Sequence, residues 1–157
     1  SSSDSRIREK GVTLEIGGGY SLWDDSYTKD EGVLLNLQLG YKFNKNIEVD
    51  LGQTWTASFM EGVNITSLTL KGILPFESGF LSYGKTGPGY ASAGSMVNSD
   101  QGSFAWVFGL GLDYHFTEGF YVGLGGDVSL FKYKSALSNV KKLNSLWGAR
   151  ANIGYIF

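Results

Sequence analysis

Trp147-Gly148-Ala149-Arg150-Ala151-Asn152-Ile153-Gly154-Tyr155-Ile156-Phe157 closes the chain, and its reading decides the fold. The odd positions Trp147, Ala149, Ala151, Ile153, Tyr155 and Phe157 are apolar, and the even positions include Gly148, Arg150, Asn152 and Gly154. A period of two belongs to a β-strand, whose successive side chains point to opposite faces. Aromatic residues near both ends of one face, with small or polar residues on the other, mark a barrel strand that turns its apolar face to lipid. The apolar face is therefore expected outside and the polar face inside.

Working outward, the same alternation recurs in segments 12–23, 33–44, 46–59, 65–76, 80–90, 103–116, 120–133 and 143–157. Each reaches the ~9–11 residues that a tilted strand needs to cross a bilayer. No segment carries a helical period, and no run approaches the ~20 apolar residues of a membrane-spanning helix. The mean hydropathy of −0.08 is no objection, because alternation hides the apolar face from a running average. Glycine is abundant at 23 of 157 residues and proline scarce at 2, as an all-β chain with tight corners requires. The expected fold is an all-β, eight-stranded antiparallel up-and-down transmembrane β-barrel. Residues 1–10 read as a polar, mature or trimmed N-terminal tail, and residues 11–157 as a single barrel domain. The absence of cysteine excludes a disulfide framework and a thiol nucleophile, and a net charge of −2 argues against nucleic acid as a partner.

The connections alternate in kind. Asn44-Lys45-Asn46, Glu77-Ser78-Gly79 and Thr117-Glu118-Gly119 are short and built of turn residues. Residues 24–31, 93–101 and 134–142 read as longer polar loops, with 60–64 a short exception. Short turns on one side and longer loops on the other is the outer-membrane pattern of periplasmic turns and external loops. An even strand count places both termini with the short turns.

The aromatics sort to the same two ends. Tyr41, Phe43, Phe76, Phe80, Tyr114, Phe116, Phe120, Tyr155 and Phe157 stand near the turns. Tyr20, Trp23, Trp55, Phe59, Tyr90, Phe104, Trp106, Phe131 and Trp147 stand near the loops. Two girdles around an aliphatic band match a bilayer cross-section, because amphipathic rings prefer the headgroup level. The alternative is a soluble lipocalin-like barrel with the apolar faces lining a ligand cavity, but such a core has no reason to sort its aromatics into two bands.

The opposite faces carry Glu15, Glu48, Asp50, Asp113 and Asp127 against Lys42, Lys71, Lys85 and Arg150. Five acids against four bases is close to balance, as a narrow interior requires of charges that must pair or stay hydrated. Strand adjacency lets Arg150 reach Asp127 and Glu15, and groups Asp50 with Lys71 and Lys85. A barrel of eight strands is only wide enough for its side chains to fill. The network is therefore expected to plug the lumen, and a small-solute channel is the alternative. Lys85 faces inward on this reading, which turns Pro88 outward and implies a bulge or ladder gap.

The chain resembles the OmpA-like superfamily of small outer-membrane barrels, of the OmpX, Ail and opacity-protein type. The resemblance covers residues 11–157. Its carriers are the eight-segment layout, Gly40-Tyr41-Lys42-Phe43, Gly87-Pro88-Gly89-Tyr90, Gly109-Leu110-Gly111-Leu112-Asp113-Tyr114 and the terminal Gly154-Tyr155-Ile156-Phe157. The resemblance implies a bacterial outer-membrane location and periplasmic termini. It also implies recognition of the C-terminal strand by the barrel-assembly machinery; the usual upstream glycine of that signal is replaced by Asn152. The superfamily includes adhesins and structural anchors, so fold alone does not name a function. A non-enzymatic, monomeric barrel is expected, structural or surface-interacting, in contact with outer-membrane lipid and lipopolysaccharide or with a host or surface ligand.

Catalytic readings are few. His115 is the sole histidine, with Asp113 two residues before it on the same face. The pair sits beside a short turn. Lipid-modifying enzymes of this fold work at the outer leaflet with a histidine and a nearby serine, which Tyr114-His115-Phe116 lacks. The glycine runs at 17–19 and 109–111 lie inside strands and are not phosphate loops, and Asn64-Ile65-Thr66 matches a glycosylation acceptor only by chance. No metal site or cofactor is expected. Charge segregates at the loops, with Asp24, Asp25, Asp30 and Glu31 in one and Lys132, Lys134, Lys141 and Lys142 around another. Two readings stand: a lysine patch for lipopolysaccharide phosphates or a host polyanion, or mutual salt bridging worth ~0.2–1 kcal/mol per exposed pair.

Overall fold

Among the described residues, alternation builds strands and nothing else of length. The computed structural model describes residues 10–24, 29–58, 61–95, 101–134 and 141–157. Eight strands follow one another: β1 (Gly11–Asp24), β2 (Lys29–Asn44), β3 (Ile47–Ser58), β4 (Glu61–Pro75), β5 (Phe80–Ser95), β6 (Gln101–His115), β7 (Phe120–Lys134) and β8 (Lys141–Ile156). Each pairs antiparallel with its neighbour in sequence, and β1 pairs with β8 to close the barrel. The ladder climbs as it goes round. From Ile47 it passes through Gly72, Gly84, Leu110, Gly126, Ala149, Tyr20 and Val33, and regains β3 at Ala57, ten residues along the strand. That stagger is the geometric partner of strand tilt in a closed sheet.

The strands run past the limits drawn from the sequence. β2 begins at Lys29, β4 at Glu61 and β8 at Lys141, and β5 continues to Ser95. Much of what reads as polar loop is therefore strand. Ladder hydrogen bonds need no apolar side chain, so pairing continues beyond the bilayer wherever a neighbouring strand continues. The short turns fall where expected. Asn44 Oδ1 accepts from the Asn46 and Ile47 amides at 2.8 and 3.0 Å. Thr117 Oγ1 accepts from Gly119 and Phe120 at 3.2 and 2.8 Å. The turn at Glu77–Gly79 is a single 3₁₀ turn with Ser78 at φ 66°. Pro88 is exposed on the outer face, and the β4–β5 ladder has a gap between Ser67–Gly89 and Leu70–Thr86 with its register unchanged, as a missing donor demands.

The two faces separate cleanly. On β2 the outward side chains Val33, Leu35, Leu37, Leu39, Tyr41 and Phe43 are exposed, while Leu34, Asn36, Gln38, Gly40 and Lys42 are buried. The same split runs through the other strands. It excludes the soluble alternative, since the polar residues line the inside. At the turn end, outward rings form a chain from Phe80 through Tyr114, Phe116, Phe120 and Tyr155 to Phe157, with centroids 4.7–6.4 Å apart. Tyr41 and Phe43 pack edge-on at 5.0 Å, and Phe76 is exposed at the same end. At the loop end Trp55, Trp106 and Trp147 are exposed, with Tyr20 and Tyr90 beside them in the outward set. The side chains of Trp23 and Phe59 lie outside the described residues.

Phe131 corrects the loop-end girdle. It points inward and is 2% exposed. It belongs to an interior cluster with Val63, Ile65, Ala91, Ala105, Val107 and Leu146. Leu34 is buried at the same end of the interior. The lumen is therefore layered: an apolar collar under the loops, a charged middle, and Ile73, Leu81 and Tyr83 as a second apolar group toward the turns.

Candidate functional site in the lumen

Period two delivers these charges to the interior. Glu15, Asp50, Lys71, Lys85 and Arg150 are buried, and the Asp127 side chain is 17% exposed. The structure gathers them into two groups. In the first, β3 presents Glu48 and Asp50 on one face and β4 sets Lys71 opposite, Glu48 and Lys71 being direct ladder partners. Lys71 Nζ lies 3.2 Å from Glu48 and 3.5 Å from Asp50, and 4.7 Å from the centroid of the Tyr83 ring. Lys42 is the ladder partner of Glu48 on the other side, and Thr13 Oγ1 donates to Glu48 at 3.5 Å.

The second group centres on Asp127. Arg150 donates to it through Nη1, and Lys85 Nζ stands 3.8 Å away. Lys85 also donates to Gln38 at 3.1 Å across the lumen, and Arg150 Nη2 donates to the Tyr83 hydroxyl at 3.1 Å. Lys85, expected with Asp50 and Lys71, thus makes its ion contact with Asp127. The reason is Gly109: it lies between Lys85 and Asp127 in one ladder row, and without a side chain it lets them meet two strands apart. Glu15, expected within reach of Arg150, accepts a 3.0 Å hydrogen bond from the Tyr121 hydroxyl on β7.

Two tyrosines were missed by sequence reasoning, Tyr83 and Tyr121. Both occupy inward positions of their strands, and that parity was the available signal. Glycine makes room for them. A Cβ on Gly125 would sit 2.6 Å from the Tyr83 hydroxyl, and one on Gly154 would run into the Tyr121 ring. Large rings thus lie over bare backbone on the inner face.

His115 is buried at the turn end, with its ring stacked on Tyr121 at a centroid distance of 4.7 Å. It lies at the end of β6 away from the loops. Among the described residues no cluster of His, Cys, Asp or Glu could hold a metal ion. At the loop end, Lys134 pairs with Lys141 and Tyr133 with Lys142 in the β7–β8 ladder. The side chains of Lys132, Lys134, Lys141 and Lys142 lie outside the described residues, as do those of Asp24, Asp25 and Asp30.

Solved structures share this geometry. Neisserial surface protein A matches with a TM-score of 0.83 at 14% identity, over 94% of this chain and 97% of that one. Ail of Yersinia pestis, in complex with the heparin analogue sucrose octasulfate, matches at 0.62 and 18% identity, over 95% and 99%. The outer-membrane enzyme PagL matches at 0.53 and 14% identity, over 89% and 97%. At these identities the likeness is one of fold. No curated protein matches the chain in sequence. Residues 5–157 match the model of the outer membrane protein beta-barrel domain, and the chain belongs to that family of bacterial outer-membrane barrels.

Proposed function

We propose that this protein is a non-enzymatic, monomeric outer-membrane barrel that meets a polyanionic surface ligand at its loop end and carries no open pore. Its termini face the periplasm, and the C-terminal strand ending in Tyr155 and Phe157 is the handle for the barrel-assembly machinery. Outer-membrane lipid and lipopolysaccharide surround residues 11–157. The observation that carries the ligand reading is the convergence of Lys132, Lys134, Lys141 and Lys142 on one hairpin, where β7 and β8 pair at the loop end. A fold relative, Ail, is solved with a sulfated heparin analogue. Charge attraction of this kind is salt-dependent.

The purified barrel in detergent is expected to bind sucrose octasulfate at low ionic strength and to lose that binding as salt rises. The fourfold lysine-to-glutamine variant should bind weakly at every salt concentration. Equal binding by parent and variant in calorimetry would remove the hairpin as the site.

The enzyme alternative rests on His115, stacked on Tyr121 at the turn end. Lipid A acyl-chain release is expected from neither the parent nor His115→Ala in a detergent assay. Release by the parent that disappears in the variant would overturn the non-enzyme reading.

A further inference from the structure

We propose that the lumen is closed by two seals in series, an apolar collar under the loops and the ion-paired network below it, each sufficient alone. This deepens the closed-lumen part of the function proposed above and rests on it. The collar is the unexpected seal, because the charged network is the one that sequence reasoning finds.

The collar draws on most of the circumference: β2, β4, β5, β6, β7 and β8 each contribute at least one buried apolar side chain to it. Phe131 supplies the largest. Thr56 on β3 is polar, yet its hydroxyl donates to the Val63 carbonyl at 3.0 Å and accepts from the Val63 amide at 3.1 Å. That hydroxyl is held on backbone and offers little to a passing ion. The Ser129 hydroxyl stands in one ladder row between Val107 and Leu146, so an ion crossing this level would shed most of its water and find few replacement ligands, which is how hydrophobic constrictions exclude ions.

The two layers are separate structures. Between them lies a cavity of about 20 Å³, roofed by Leu34, Val107 and Leu146 and floored by Gln38, Lys85 and Asp127. That volume holds about one water molecule, too little for a water column. The charges are tied to one another and to Gln38 and Tyr83, in hydrogen bonds and ion pairs that do not involve the collar. Loosening the network therefore leaves the collar packed, and opening the collar leaves the charges paired.

The test is conductance in planar bilayers, with folding of each protein checked by circular dichroism. Arg150→Met with Lys71→Met removes a cation from each group of the network, and Phe131→Ser with Leu146→Ser breaks the collar. The parent and both single-layer variants are expected to be silent, and the combined variant to show steady conductance. Should Phe131→Ser with Leu146→Ser fail to fold, the near-isosteric Val107→Thr with Ala105→Ser replaces it. Steady channels in either single-layer variant would overturn the inference, because one seal would then be insufficient. Silence of the folded combined variant would overturn it equally, because another barrier would exist. Conductance by the parent would instead remove the closed-lumen reading beneath it.

Discussion

Replacing Lys71 by methionine is expected to destabilise the barrel by about 3–5 kcal/mol, the typical cost of breaking a buried ion pair by removing one partner. Lys71 is the ammonium that stands 3.2 Å from Glu48 and 3.5 Å from Asp50, and both carboxylates have side chains no more than 5% exposed. Methionine keeps most of the volume, so the loss reads charge more than packing. The neutral triple variant Lys71→Met, Glu48→Gln, Asp50→Asn removes the stranded acids as well and should recover much of the loss. Urea unfolding of the barrel in lipid vesicles measures both. A single-variant cost under about 1 kcal/mol would mean that the acids are hydrated in place, and the picture of a filled lumen would fail.

The second large effect concerns the opposite face. Leu37 is an outward residue midway along β2 and 42% exposed, while its neighbour Gln38 points inward and is buried. Arginine at Leu37 should cost ~2–4 kcal/mol, falling to ~0–1 for arginine at Val33 nearer the interface. Gln38→Glu instead places a carboxylate where Lys85 already reaches, 3.1 Å away, and should cost far less than Leu37→Arg. The same unfolding assay ranks the three. If Gln38→Glu proved the most damaging, the assignment of faces would be reversed.

The faces were legible because lipid imposes a strict rule: every strand must alternate, and a charge on the wrong side is costly. Leu37 and Gln38, or Ile153 and Asn152, differ so sharply that one reading fits. The girdles were legible for the same reason. The collar was not, because alternation falls silent where both faces are apolar. Leu34-Leu35 and Ala105-Trp106-Val107-Phe108 show no contrast, and Phe131 looked like one more ring at the loop end. The partner of Lys85 was illegible for a different reason. Strand order predicts direct neighbours, whereas Gly109 and Gly154 let side chains two strands apart meet, Lys85 with Asp127 and Tyr121 with Glu15, and the narrow bore brings β2 to β5 through Gln38 and Lys85. The contact of Gln38 with Lys85 depends on the ten-residue stagger, which no single strand encodes.

The central claim is that this chain stands in the outer membrane with its apolar side chains in lipid and its charges inside. The chain has no cysteine, so a spin label can be placed at one engineered position at a time. Labels at successive positions from Val33 to Phe43 on β2, in lipid vesicles, would be read for accessibility to oxygen, which dissolves in lipid, and to a water-soluble nickel complex. An oxygen signal of period two is expected, with maxima at Val33, Leu35, Leu37, Leu39, Tyr41 and Phe43. Low access of either reagent is expected at Asn36 and Gln38. Oxygen maxima at Asn36 and Gln38, or nickel access along the odd positions, would contradict this assignment of faces.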